Sequence, residues 1–267
     1  MNITQLDTHT LKTYLWYKLF AGHRKGHGIH SPFVFHLISE VFRNKTTSGF
    51  VLDLENARKS MHSRRQVLRV TDLGSGSRYM KGNLRPISEI AKHSAVPPKY
   101  GKLLYSLASE FGGRDIIELG TSLGMSTMYL SRGSSSSTVH TVEGCSETAS
   151  IASAYFIQAG LTNIVQYTSG FDEAISEFHE KQIKPGLVFI DGDHRKESVL
   201  RYFRALSEMG NDKTVIVIDD IHSSKEMGEA WELIMKDLSV SLTIDIFRMG
   251  LVFFREGLTP SNYIIRY

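Results

Sequence analysis

Apolar side chains recur at helical spacing over residues 10–20 and again over 33–42, which predicts two helices near the N-terminus. Ser31-Pro32 gives the second a clear start, because serine can cap and proline is tolerated at the first helical position. Residues 53–69, rich in Arg and Lys, read as a third helix. No alternating run interrupts this stretch. Residues 1–95 are therefore expected to form a helical extension, serving as a lid or a dimer contact.

From Arg114 onward the pattern changes. Short β-rich runs at 115–119, 138–143, 164–168, 187–191 and 214–219 alternate with helical stretches at 126–132, 146–159, 171–181 and 196–208. Such alternation predicts a parallel sheet covered by helices on both faces. The runs 187–190 and 215–218 are apolar throughout, as befits strands buried on both sides. The end breaks the rhythm: strands at 241–247 and 251–255 are separated only by Arg248-Met249-Gly250. So short a loop joins antiparallel neighbours, whereas a plain dinucleotide-binding domain would add another helix and a parallel strand.

Composition narrows the picture only modestly. With 41% hydrophobic and 22% charged residues, the chain is an ordinary globular mixture whose core needs no staples. A net charge of +3 with scattered basic residues lacks the dense stripe of a dedicated nucleic-acid binder. One local cluster stands out, at His23, Arg24, Lys25 and His27. The single cysteine, Cys145, excludes an internal disulfide and suits a reducing compartment. No apolar run approaches the roughly 20 residues of a membrane span, and the first residues do not resemble a secretory signal. A cytoplasmic location is the expectation.

The chemistry is concentrated at the predicted strand ends. Residues 116–127, IIELGTSLGMST, read as a strand, a glycine turn and a helix start. Glycines let the backbone approach a ligand closely, and the helix start offers unpaired N–H groups. A carboxylate at Glu118 would repel phosphates but suits the ammonium of a methionine-like group. Glu143 ends the next strand, about 20 residues beyond the loop, where an acidic residue hydrogen-bonds ribose hydroxyls; otherwise it is a surface glutamate. Gly170 and Phe171 follow the third strand, beside the expected adenine position, or else simply begin a helix capped by Ser169.

In this order the elements resemble the class I S-adenosylmethionine-dependent methyltransferases, most closely the catechol and caffeoyl-CoA O-methyltransferases and the sugar and antibiotic O-methyltransferases. The resemblance runs from Val96 to Arg255. It implies a Rossmann-like three-layer α/β sandwich with a seven-stranded, mainly parallel sheet and an antiparallel terminal strand, occupying residues 96–267. It also implies S-adenosylmethionine as cofactor and transfer of a methyl group to the hydroxyl of a small molecule or sugar. The cofactor-binding residues it suggests are Tyr100, Gly101, Glu118, Gly120, Thr121, Ser122, Gly124, Ser126, Glu143, Gly170, Phe171 and Asp191.

Asp191 ends the fourth strand, and Asp219 and Asp220 end the fifth, so three carboxylates would share one edge of the sheet. A hard divalent cation would relieve their repulsion. The resemblance implies Mg²⁺ on residues at these positions, orienting the acceptor hydroxyl. The family often carries Asn where this chain has Asp220, which leaves metal binding open. Asp191 can instead contact the cofactor, and Asp219 can cap the next helix or pair with a basic side chain. The family's catalytic lysine stands three residues after the equivalent of Asp191, a step filled here by His194. His194 is thus the candidate general base, with His222 second; Asp191 completes the catalytic set. Either histidine could equally be a surface-loop residue bonded to backbone.

The remaining features carry less. His23, His27, His30 and His36 match no compact zinc spacing. Residues 72–77, DLGSGS, mimic a glycine motif but lack an acidic strand end at the right distance, and read as a loop with Arg78 as a substrate anchor. Trp231 reads as core. The rival functions are an RNA or protein methyltransferase, a non-catalytic cofactor-binding protein and an NAD-dependent oxidoreductase. Nucleic acid and membrane are not indicated as partners, and a homodimer remains open.

Overall fold

The computed structural model describes residues 8–23, 28–44, 49–71, 74, 76 and 82–267. Arg24, Lys25 and His27 of the basic cluster, and Asp72, Leu73, Ser75, Ser77 and Arg78 of the glycine-like loop, lie outside the described residues.

The chain begins with α1 (Thr8–Phe20) and α2 (Pro32–His36), which continues as a π-helical turn over Leu37–Val41. Ser31 starts α2 as expected, its hydroxyl accepting the Val34 N–H with Pro32 in the first turn. Next come α3 (Gly49–Ser63), β1 (Val67–Arg69), β2 (Leu84–Pro86) and α4 (Ile87–Ser94). Here the expected helix over 53–69 is too long. It stops at Ser63, and Val67–Arg69 pairs antiparallel with Leu84–Pro86. A three-residue ribbon is too short for its alternation to register in sequence.

The alternating region follows: α5 (Pro98–Phe111), β3 (Asp115–Leu119), α6 (Met125–Gly133), β4 (Thr138–Val142), α7 (Ser146–Gln158), β5 (Ile164–Tyr167), α8 (Phe171–Glu180), β6 (Pro185–Ile190), α9 (Lys196–Met209), β7 (Val215–Asp219), α10 (Lys225–Met235), β8 (Leu242–Asp245), β9 (Met249–Phe253) and β10 (Ser261–Ile264). The main sheet has eight strands in the order β5-β4-β3-β6-β7-β9-β8-β10. The expected alternation is borne out, as are the buried runs in β6 and β7 and the antiparallel β8–β9 hairpin; the hairpin is not terminal, because β10 follows it and pairs parallel with β8. The expected count of seven strands is one short.

The chain divides into two compact units, residues 45–188 and residues 1–44 with 189–267. In the first, β3 pairs parallel with β4 and β4 with β5. All of β3 is buried. In the second, β9 lies antiparallel between β7 and β8. That arrangement leaves the outer edge of β8 open, and β10 fills it in parallel, Ser261 opposite Leu242 through Ile264 opposite Asp245. The Gly22 N–H donates to Ile264 O, the Arg266 N–H to Gly22 O and the Tyr17 hydroxyl to Ile265 O, tying the end of α1 to this edge. Trp231 is buried against Gly250, where a Cβ would lie 2.5 Å from the indole, so it is core as expected.

Candidate functional site

The glycine turn belongs wholly to the 45–188 unit. Gly120 and Thr121 both donate backbone N–H groups to Val142 O at the end of β4, at 3.1 and 3.0 Å. Gly120, Ser122 and Gly124 all have positive φ, so the chain reverses sharply before α6. Gly124 is required twice over, since its φ is +84° and a Cβ there would come 2.4 Å from Phe156. Glu143 ties down the turn: one carboxylate oxygen accepts the Ser122 N–H at 2.8 Å and the other the Cys145 N–H at 2.9 Å.

Beneath the turn lies Glu118, fully buried on β3. The hydroxyls of Thr127 on α6 and Thr141 on β4 both donate to its Oε2. Thr141 has spent its proton there, so in its contact with Thr121 the latter is the donor. Oε1 has no hydrogen-bond partner among the described residues. Burial pushes this carboxyl above its ordinary value, against the lowering effect of the Ser126, Thr127 and Thr141 hydroxyls.

The other expected contacts lie on α5 and at the start of α8. Gly101 is buried within α5, and the close approach that demands a glycine there is to the Tyr129 ring, 2.3 Å from a Cβ at 101; it serves helix packing. Tyr100 is half-buried, with the Lys99 ammonium 5.5 Å from its ring centroid. Gly170 rather than Ser169 occupies the cap position of α8, and Phe171 is half-buried at its start.

The carboxylates at 191, 219 and 220 belong to the other unit. Asp219, fully buried, is gripped by Arg248 from the β8–β9 loop: Nε donates to Oδ1 at 2.9 Å and a terminal nitrogen to Oδ2 at 2.6 Å. The same nitrogen lies 3.8 Å from Asp220. Burial raises the Asp219 carboxyl, Arg248 opposes this, and Asp220 and His194 also act on it. Burial disfavours charge on Arg248, but Asp219, Asp220 and Asp191 outweigh it and hold the guanidinium's pKa above its usual value. His194 Nε2 stands 3.7 Å from Asp191 Oδ1. His222 is engaged elsewhere, its Nε2 2.7 Å from the buried Asp245 and its ring against Phe247. Asp193, inside the same motif, is taken by Arg195 and the Tyr202 hydroxyl.

Residues 117–221 match the family described as a methyltransferase domain. Catechol O-methyltransferase of Niastella koreensis is 31% identical over 130 residues, 48% of this chain and 58% of that one. Its namesake from Mycobacterium tuberculosis is 32% identical over 129 residues, 48% and 57% of the two chains. The chain thus matches little more than half the length of these relatives. An O-methyltransferase of Bacillus cereus solved with SAH superposes with a TM-score of 0.55 at 21% identity, covering 79% of this chain and 93% of that one. The chain has the class I methyltransferase fold.

The methyltransferase fold lets each expected ligand be tested against the residues present. A cationic amino acid moiety fits Glu118, a buried carboxylate with one oxygen lacking a partner and, among the described residues, no cation paired with it. A divalent cation does not fit the expected Asp191, Asp219 and Asp220 set. Both oxygens of Asp219 already accept from a guanidinium, which would stand against the ion. Among the described residues no group of three His, Cys, Asp or Glu side chains could hold a metal. Sequence reasoning passed over Arg248. Its signal is a basic residue in the β8–β9 hairpin loop, directly before the strand that pairs with β7 and places Met249 opposite Asp219.

Proposed function

We propose that the chain is an S-adenosylmethionine-dependent O-methyltransferase acting on the hydroxyl of a small molecule. Glu118 carries this reading, because its unmatched Oε1 calls for a buried cationic donor and the methionine ammonium is one. Glu143, already fixed to the glycine turn, would take the ribose hydroxyls. Gly120, Thr121, Ser122, Gly124 and Ser126 form the turn and helix start around them, and Tyr100, Gly170 and Phe171 would contribute further contacts. The cofactor's sulfonium supplies the methyl group.

His194 would accept the proton of the acceptor hydroxyl as its oxygen takes the methyl group. Asp191 orients that imidazole and stabilises the cation formed on protonation. His222 is the weaker candidate, since Asp245 and Phe247 already hold it. The relatives that are catechol O-methyltransferases favour a small hydroxyl acceptor over RNA or protein.

Calorimetry with S-adenosylhomocysteine (SAH) and NAD tests the assignment. SAH is expected to bind and NAD not to; binding of NAD alone overturns it.

A further inference from the structure

We propose that Arg248 is the built-in cation of this carboxylate cluster, occupying the role that a divalent ion would otherwise fill, so that the site binds no metal. The inference rests on the reading of the chain as a methyltransferase and concerns what that site requires.

The argument begins with Asp219. It sits at the end of β7 with no exposure to solvent, next to a second acid, Asp220. A buried carboxylate needs a counter-charge at hydrogen-bonding distance. Arg248 provides it through the planar fork that matches a carboxylate better than any other cation does. Both Asp219 oxygens accept from it, at 2.9 and 2.6 Å. The guanidinium also stands 3.8 Å from Asp220, so one positive group serves two acids.

The scaffold presents Arg248 deliberately. It follows Phe247, whose φ of +71° is unusual for an aromatic residue. The Phe247 N–H donates to Asp245 and the Ile221 N–H to Arg248 O. The loop is therefore clasped to both β8 and the segment after β7. A guanidinium held this way carries its charge permanently, with no dependence on ion supply. A Mg²⁺ ion at the same carboxylates would have to displace the fork and then lie beside the positive group it displaced.

Removing the guanidinium should then expose a latent cation site. The experiment counts bound Mn²⁺ by electron paramagnetic resonance, with SAH present, in metal-free wild type, Arg248→Met and Asp219→Asn. Calorimetric SAH binding in the same samples tests the methyltransferase reading separately. Wild type is expected to hold no Mn²⁺ at submillimolar concentration, and Arg248→Met to gain affinity at least tenfold. Wild-type Mn²⁺ binding that Asp219→Asn abolishes would overturn the proposal. So would a folded Arg248→Met that gains nothing. If Arg248→Met does not fold, the wild-type and Asp219→Asn measurements decide alone.

Discussion

Glu118 and Asp219 are two carboxylates at the ends of buried strands, and the protein treats them in opposite ways. Asp219 has a guanidinium bonded to both oxygens. Glu118 accepts the Thr127 and Thr141 hydroxyls on one oxygen, and its other oxygen is left without a partner among the described residues. A buried acid that the chain has paired is complete, and adding a ligand to it costs a native interaction. A buried acid that the chain has left half-satisfied keeps a cost that a cationic ligand can relieve. The contrast distinguishes a carboxylate whose pairing is complete from one that still has an unmatched acceptor, without reference to where either lies in the sequence.

The largest effect should come from breaking the complete pair. Arg248→Met strands a buried carboxylate, and the expected loss of stability is about 3–5 kcal/mol. Adding Asp219→Asn to that variant should restore a substantial part of it, because the stranded charge is gone. Denaturant unfolding of the two single variants and the double variant measures this. Strict additivity would show that the two side chains do not depend on each other.

Glu118→Gln should behave in the opposite manner. At neutral pH the unliganded protein should be as stable or more so, while SAH binding weakens by about 1.5–3 kcal/mol, the worth of a hydrogen bond to a charged group. The sign follows from the raised carboxyl pKa. A group whose folded value exceeds its unfolded one, about 4.3, adds stability below that value. It loses the contribution as pH rises through the folded value. Thermal melts of wild type and Glu118→Gln across the acid-to-neutral range, with and without SAH, separate the two effects. A variant that loses stability at pH 7 yet binds SAH normally would reverse the assignment.

Glu143→Ala removes a side chain that both steadies the turn and is proposed to bind ribose. Affinity for SAH should fall by about 1–3 kcal/mol, accompanied by a smaller loss of stability from the two released N–H groups. The smallest stability effect is expected at Gly170, where a Cβ meets nothing within 4 Å. Gly170→Ala should cost under about 1 kcal/mol of folding stability. Calorimetry then decides whether residue 170 faces the ligand: undiminished SAH affinity removes it from the binding set.

Much of the fold is legible in the sequence alone. The alternation of apolar runs and helical stretches after Arg114, and the short link between the last two long strands, follow from local periodicity and loop length. These are properties of neighbouring residues. The glycine turn was equally plain, since Gly120, Gly124 and Glu143 carry its geometry in their own identities. Less visible were elements that depend on distant partners. The Val67–Arg69 strand exists because Leu84–Pro86 pairs with it, and β10 exists because β8 has an open edge. In α1 the helical spacing was right, yet Leu15, Trp16, Leu19 and Phe20 lie exposed, because spacing reveals a stripe but not what covers it.

The sequence by itself determined which residue types stand at the ends of the strands: two glutamates around a glycine turn, three aspartates farther on, and a histidine three residues after the first of these. Only the tertiary structure decided how each carboxylate is paired. It brought Arg248 onto Asp219 from 29 residues away in the chain, placed Asp245 against His222, turned Gly101 toward Tyr129, and left Glu118 Oε1 without a protein partner among the described residues. The reason is the range of the forces involved. Helix and strand periodicity are written in near neighbours, whereas the state of a buried charge depends on burial and on groups within a few ångströms in space, and chain folding sets both.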